Sequence, residues 1–227
     1  MKLRLITFVA SVGVVAAVLP SHATTAPAAP KAQITDPTGD ANGINDQGAG
    51  AADVSLSGPA DDANADIASV LFATKFKTVI TYKTVKVTVK KKKVIKRVPV
   101  KTQVPDGFTV TLNLAAAPDG NHIYDVFASH PNCGGGVDFT FNTGPLALNE
   151  VSCSGAFDPT DQTSLLDIST VPGEAAIVGN SVVWTIPAGA FPVGSTFSDL
   201  TAQTETAVDA PIMDMAATDG AAYKVGS

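Results

Sequence analysis

After residue 34 the chain consists largely of short stretches in which apolar and polar residues alternate, separated by Gly, Pro, Asn and Asp. The most regular stretch reads FTVTLNL and covers residues 108–114. Successive side chains of a strand point to opposite sides, so its apolar positions share one face: Phe108, Val110, Leu112 and Leu114. Alternation with a period of two predicts a β-strand with one buried face.

Similar stretches recur along the chain, whereas long helical periodicity is hard to find. We expect further strands within residues 67–74, 123–129, 176–186, 196–206 and 221–225. The third of these reads as a hairpin around Gly179-Asn180, with Trp184 at a core position. Several short strands and abundant turn residues predict an all-β protein, an antiparallel β-sandwich formed by residues 35–227 as a single domain.

The first 23 residues have the organisation of an export signal. A cationic start is followed by an apolar stretch at residues 5–19 and by a small-residue cleavage site ending at Ala23. An uncleaved anchor is the alternative, although the stretch is short for a bilayer core of about 30 Å. We expect a secreted, extracellular protein without a later transmembrane segment, which begins with a Pro/Ala-rich linker at residues 24–34.

The chain has two cysteines, Cys133 and Cys153. In an oxidising compartment a pair of cysteines at this spacing predicts one disulfide. A metal-binding or nucleophilic role is the alternative, but the sequence has no Cys-x-x-Cys pattern.

Charge is distributed very unevenly along the chain. Eleven of the 15 Lys and Arg residues lie between Lys75 and Lys101, and none of the 21 acidic residues does. This stretch carries about +11, while the rest of the exported chain, with Lys31 and Lys224 as its only cations, carries about −19. The formal net charge of −6 therefore hides two opposed regions.

The basic stretch predicts a long β-hairpin inserted at about residues 75–104, with lysines 90–93 as its turn. The expected pairs are Val89 with Val94, Val85 with Val98, and Val79 with Val104. One face then collects Val79, Val85, Val87, Val89, Val94, Val98, Val100 and Val104. The other carries Tyr82, Lys86, Lys90, Lys93, Arg97 and Lys101. An isolated ribbon is marginal in water, so the valine face should need a cover: the sandwich, another subunit or a partner.

The lysine-rich hairpin predicts an anionic partner, with lysines as point charges rather than specific phosphate forks. The candidate anion-binding residues are Lys83, Lys86, Lys90, Lys91, Lys92, Lys93, Lys96, Arg97 and Lys101. Cell-envelope polymers, acidic polysaccharide, anionic lipid and extracellular nucleic acid all fit, but sequence-specific nucleic-acid readout does not, because few aromatics interleave. The alternatives are a hairpin that docks on its own acidic sandwich and a solvated arm whose lysines discourage aggregation.

The stretch from Asp36 to Asp46 is rich in Asp, Asn and Gly. Calcium prefers six to eight oxygen ligands, and a folded loop of this composition can supply several. The candidate ligands are Asp36, Asp40, Asn42 and Asp46. The spacing is not that of an EF-hand, and ordinary turns are the alternative explanation.

Three short motifs carry a family resemblance: Asp36-Pro-x-Gly39-Asp40-x-x-Gly43, Ala65-Asp66-Ile67-x-x-Val70 and Ala217-Thr218-Asp219-Gly220-x-x-Tyr223-x-Val225-Gly226. With these motifs the chain resembles DOMON-like modules of secreted actinobacterial type. That group includes the relatives of family 9 carbohydrate-binding modules and of the glucodextranase C-terminal domain. The resemblance implies a calcium-stabilised sandwich that binds polysaccharide or the cell envelope, with Asp36 and Asp40 nearest the metal.

Catalytic motifs are hard to find in the exported chain. It has only two histidines, His122 and His130, and no Gly-x-Ser-x-Gly, His-Glu-x-x-His or Walker pattern. We therefore expect a non-catalytic protein that associates with the cell envelope or an anionic polymer through the hairpin. A carbohydrate-binding module with its ligand on the sandwich face is the second hypothesis, and a hydrolase with a carboxylate pair is the third.

Overall fold

A computed structural model describes residues 30–39, 41, 62–89, 92–144, 147–154, 168–207, 212–217 and 220–227. The elements in chain order are β1 (Ile34–Thr35), β2 (Ile67–Val89), β3 (Lys92–Leu114), β4 (His122–His130), β5 (Cys133–Phe141), β6 (Asn149–Ser154), β7 (Ile168–Val171), β8 (Glu174–Val178), β9 (Ser181–Ile186), β10 (Thr196–Thr206), β11 (Ile212–Ala217) and β12 (Ala222–Lys224). Every element of the described part of the chain is a strand, which confirms the all-β prediction.

Two antiparallel sheets pack face to face as a sandwich. The first, sheet A, has the strand order β1-β2-β3-β9-β8. The second, sheet B, has the order β11-β10-β4-β5-β6-β7, and β12 also pairs with β10. The predicted hairpin joins β8 to β9, with Gly179 at a φ of +61° as the first turn residue, the position that favours glycine in tight hairpins.

The core fills the space between the sheets with the inward side chains that alternation predicts. Phe108, Val110, Leu112 and Leu114 are all buried, as expected for one face of β3. Trp184 is fully buried opposite sheet B, and its indole N–H donates to the Thr140 carbonyl at 3.4 Å. An aromatic cluster spans both sheets and consists of Phe72, Phe108, Phe139, Phe191, Phe197 and Tyr223.

The predicted disulfide is present between Cys133 and Cys153 and joins β5 to β6. Cys133 is buried at the start of β5, where the chain has just turned out of β4. The two cysteines are separated by 20 positions in the sequence, and the bond closes the loop between them. It therefore stabilises the fold mainly by restricting the conformations of this loop in the unfolded chain.

At the N-terminal side, β1 begins at Ile34, the last residue of the predicted linker, and Ile34 is buried. The predicted signal peptide at residues 1–23 lies outside the described residues. No helix in the part of the chain that the structure describes is long and apolar enough to cross a membrane.

Candidate functional site

The basic stretch forms a two-stranded arm that continues β2 and β3 beyond the sandwich. We define the arm as residues 76–105, from the pair Phe76–Pro105 to the pair Val89–Lys92 at the tip. Its tip residues Lys90 and Lys91 lie outside the described residues. The thirteen steps from Phe76 to Val89 extend about 43 Å at roughly 3.3 Å per residue. No described side chain of the arm is buried, so the arm does not dock on its own sandwich.

A bulge in β3 marks the point where the arm leaves the sandwich. Thr74 pairs with Phe108, but Phe76 pairs with Pro105, so β3 holds one residue more than β2 in this interval. Gly107 lies in the bulge at a φ of +91°, and a Cβ atom there would collide with the carbonyl oxygen of Ile186. Lys77 Nζ contacts Asp106 Oδ1 at 2.6 Å beside the bulge.

The observed pairing of the arm differs by two residues from the predicted one. Val89 pairs with Lys92, Val85 with Lys96 and Val79 with Thr102, rather than with Val94, Val98 and Val104. The predicted register was therefore wrong. It would have placed Lys86 opposite Arg97, and like charges directly opposite destabilise a sheet. In the observed register each described Lys or Arg of the arm lies opposite Val, Ile or Thr.

The predicted division of the arm into two faces is correct for the described residues, because a shift of two residues keeps each of their side chains on its side. The valine face is the better covered one: Val94 and Val100 are 40% and 39% exposed, but the other described valines are half-buried, namely Val79, Val85, Val87, Val98 and Val104. The opposite face leaves Ile80, Tyr82 and Ile95 at 52%, 60% and 66% exposure. The Arg97 guanidinium lies 5.2 Å from the centre of the Tyr82 ring, close enough for a cation–π contact.

Seven of the nine predicted anion-binding residues lie in the described part of the arm: Lys83, Lys86, Lys92, Lys93, Lys96, Arg97 and Lys101. None of these seven makes an ion pair with a described residue, since Lys77 is the only described cation of the arm in such a contact. All seven are exposed. The structure therefore presents them together along one ribbon, with their charges uncompensated by the described part of the sandwich.

Only part of the predicted calcium loop can be placed. Asp36 follows β1, and its N–H donates to the Ala68 carbonyl at 3.1 Å, whereas Asp40, Asn42 and Asp46 lie outside the described residues. The Gly39 N–H donates to Asp66 Oδ2 at 2.6 Å, which holds the start of the loop against the start of β2. In the described part of the chain no group of three or more His, Cys, Asp and Glu is placed to hold a metal.

Asp214 reaches the same corner of the sandwich from β11. This carboxylate is buried and accepts the Ile67 N–H at 2.6 Å through Oδ2 and the Met215 N–H at 2.8 Å through Oδ1. Asp214 lies beside Ile67, which follows Asp66, the residue that accepts the Gly39 N–H. Two more carboxylates of this part of the sequence, Asp209 and Asp219, lie outside the described residues.

Sheet B carries an acidic face that the sequence analysis did not predict. Four carboxylates point away from the core on four adjacent strands: Glu205 of β10, Asp125 of β4, Asp138 of β5 and Glu150 of β6. We call this set the acidic face. A cleft of about 190 Å³ opens among Asp125, Phe127, Asp138, Thr201 and Gln203. The carboxylates are far apart in sequence, and only the strand order brings them together.

The carboxylates of the acidic face repel one another. Burial raises the pKa of Asp125 to about 7, against the effect of the Thr140 hydroxyl and with the help of the charges on Asp138 and Glu205. The pKa of Asp138 is also raised, first by burial and then by Glu150 and Glu205. None of the four makes an ion pair with a described residue. A cation placed over this face would relieve the repulsion.

The two histidines lie at opposite ends of β4, about 26 Å apart at roughly 3.3 Å per residue. His122 contacts Asp119 at 2.8 Å and Asp62 at 3.3 Å. His130 is buried against the Phe191 and Phe197 rings, and burial lowers its pKa. The histidines cannot act in one site, and each has a structural environment of its own.

The chain matches no protein-family model, no curated protein and no solved structure. What the described residues define is a class: an antiparallel β-sandwich that carries a protruding, basic, two-stranded arm. The resemblance to DOMON-like modules stays a prediction.

Proposed function

We propose that this protein is a non-catalytic, exported β-sandwich that binds an anionic polymer of the cell envelope through its arm. The observation that supports the proposal is that the arm's described cations are exposed and most of them are unpaired. Seven exposed Lys and Arg residues share one ribbon without an ion pair to any described carboxylate. A cationic surface kept free in this way favours a polyanion as its partner.

The composition of the arm indicates what kind of binding to expect. Lysine ammonium groups are compact, hydrated point charges on flexible stems, so they follow a charged polymer without selecting a fixed geometry. Their attraction is screened by salt, with a Debye length of about 10 Å at 0.1 M. We expect binding that is strong at low ionic strength, lost at high ionic strength and tolerant of the polymer's covalent structure.

Retention on immobilised dextran sulfate tests the proposal, with neutral dextran as the matched matrix. The protein should be retained on dextran sulfate and released by salt, and it should pass through neutral dextran. Replacement of residues 79–102 by Asn-Gly, a favoured two-residue hairpin loop, should abolish retention. Retention that survives this replacement would contradict the proposal. Binding to neutral dextran that survives it would instead support a carbohydrate site on the sandwich.

A charge-matched pair of variants separates the arm from net charge. Lys86→Gln with Lys93→Gln removes two arm cations, and Lys31→Gln with Lys224→Gln removes two cations elsewhere. The arm variant should elute at clearly lower salt than the wild type, while the second variant should elute close to it. Equal shifts would show that the column reports net charge and not the arm.

We also propose that calcium stabilises the loop that begins at Asp36, with Asp36, Asp40, Asn42 and Asp46 as its ligands. The support is chemical: carboxylate and amide oxygens are ligands that calcium prefers. Calcium should raise the thermal unfolding temperature by several degrees relative to a chelator, since a ligand that binds only the native state stabilises it. Asp40→Asn should remove the calcium effect, and an unchanged unfolding temperature in the wild type would leave the loop as ordinary turns.

A further inference from the structure

The arm and the acidic face carry opposite charge but lie on different sheets of the same molecule. The arm extends β2 and β3, which belong to sheet A. The acidic face points outward from sheet B, so the whole sandwich core separates it from sheet A. An arm that runs on in the direction of its own strands cannot turn onto that face of the same molecule.

Both surfaces are uncompensated in the described part of the chain. Seven arm cations have no partner among the described carboxylates, and Asp125, Asp138, Glu150 and Glu205 have none among the described cations. The cleft between Asp125 and Asp138 is lined by polar side chains and by the Phe127 ring, which lies over Gly136. A lysine side chain suits such a site, because its ammonium group can meet the carboxylates while its stem contacts the ring.

We propose that the arm of one molecule docks on the acidic face of a second copy of this chain. Each molecule offers one arm and one acidic face. Two molecules can exchange arms, which closes a twofold dimer, or each arm can dock on the face of the next molecule, which adds copies head to tail.

The inference reaches beyond the envelope binding proposed above, since it names a different partner for the arm and a surface that envelope binding does not use. Retention on a polyanion without self-association would overturn this inference alone. Self-association without retention would overturn only the envelope proposal.

Sedimentation velocity at low and high ionic strength tests the inference, with runs at about 20 mM and about 0.5 M salt bracketing strong and weak screening. At low salt the weight-average mass of the wild type should rise with concentration to at least twice the monomer mass. At high salt it should stay monomeric. A wild type that stays monomeric at low salt at every concentration would overturn the inference.

Two further proteins identify the surfaces. The variant without residues 79–102 has a face but no arm, and Asp125→Asn with Asp138→Asn has an arm but a weakened face. Each should be monomeric where the wild type associates, and their mixture should form a one-to-one complex and nothing larger. Glu174→Gln removes a carboxylate charge from β8 of sheet A, away from the face, and should associate like the wild type. Undiminished association of the Asp125/Asp138 variant would overturn the inference, provided that its thermal unfolding shows a folded protein.

Discussion

Strand β2 runs through the sandwich and on into the arm, and its side chains point alternately to two faces in both regions. In the sandwich, Val70 and Phe72 are fully buried, and Phe72 contacts four aromatic rings. Ten residues later on the same strand, Tyr82 is 60% exposed. Alternation in the first region separates core from solvent. In the arm it separates two faces that both contact solvent. There it determines which side chains lie opposite one another and where the charges lie, and not which side chains are buried.

The largest difference in stability should appear when one aromatic side chain is removed from each region. Phe72→Ala should lower the free energy of unfolding by about 3 to 5 kcal/mol, because it empties the centre of the aromatic cluster. Tyr82→Ala should cost less than about 0.5 kcal/mol, as expected for an exposed position. Urea unfolding of both variants measures this difference. Comparable losses would mean that the arm is part of the cooperative core.

Removal of the disulfide should lower the stability of the sandwich without changing the arm. Cys133→Ser with Cys153→Ser should destabilise the protein by about 3 kcal/mol, the value expected for a loop of this length. Because the bond joins β5 to β6, away from the arm, polyanion retention of the folded variant should not change. Loss of retention at a temperature where the variant is folded would contradict the separation of the two regions.

Gly107 lies at the boundary between the regions. Gly107→Ala should destabilise the sandwich by roughly 2 kcal/mol or more, since alanine is strained at a φ of +91° and its Cβ meets the Ile186 carbonyl. Gly179→Ala is the matched control, because it has a positive φ but open space around a Cβ. Thermal unfolding should therefore show the larger loss for Gly107→Ala, and the reverse order would argue against a fixed bulge.

A smaller effect should follow pH through Asp125. Its native pKa of about 7 lies above the ordinary value of 3.8, so the native state holds this proton more tightly than the unfolded chain does. The associated stability is present below about pH 4 and is lost as the pH rises to about 7. Burial raises this pKa most, the hydrogen bond to Thr140 lowers it, and the charges on Asp138 and Glu205 raise it further.

Asp125→Asn isolates that contribution from those of other titrating groups such as His130. At pH 7.5 and high salt, where the protein should be monomeric, this variant should be more stable than the wild type by about 1 to 2 kcal/mol after allowance for solvent screening. Near pH 4 the two proteins should be nearly equal. Urea unfolding at both pH values provides the test, and an equal difference at both would contradict the raised pKa.

Local pattern predicted much of the fold. Strict alternation identified the buried face of β3, and the Gly179-Asn180 turn identified the hairpin of β8 and β9. The predicted bounds of β10 also agree with the structure. Each of these features depends on neighbours in sequence. The strands β1, β5, β6, β7 and β11 were not predicted, since glycines, short length or mixed polarity weaken their pattern. The arm's two faces were predicted, but its register depends on pairs across strands, where like-charge repulsion disfavours the predicted alignment.

The acidic face is a candidate site that local sequence patterns could not predict. Its four carboxylates are spread over residues 125–205 and come together only through the order β10-β4-β5-β6. No local motif marks them. The basic arm, by contrast, is contiguous in sequence, so its charge could be recognised before its structure was known.

Hydrogen exchange with and without dextran sulfate tests the central claim, that the sandwich provides the fold and the arm provides the binding. Amides of the arm should exchange faster than those of the core strands in the free protein, because no described arm side chain is buried. Added polymer should slow exchange within residues 76–105 and leave β4, β5 and β9 unchanged. Protection confined to the sandwich, with an unaltered arm, would contradict the account.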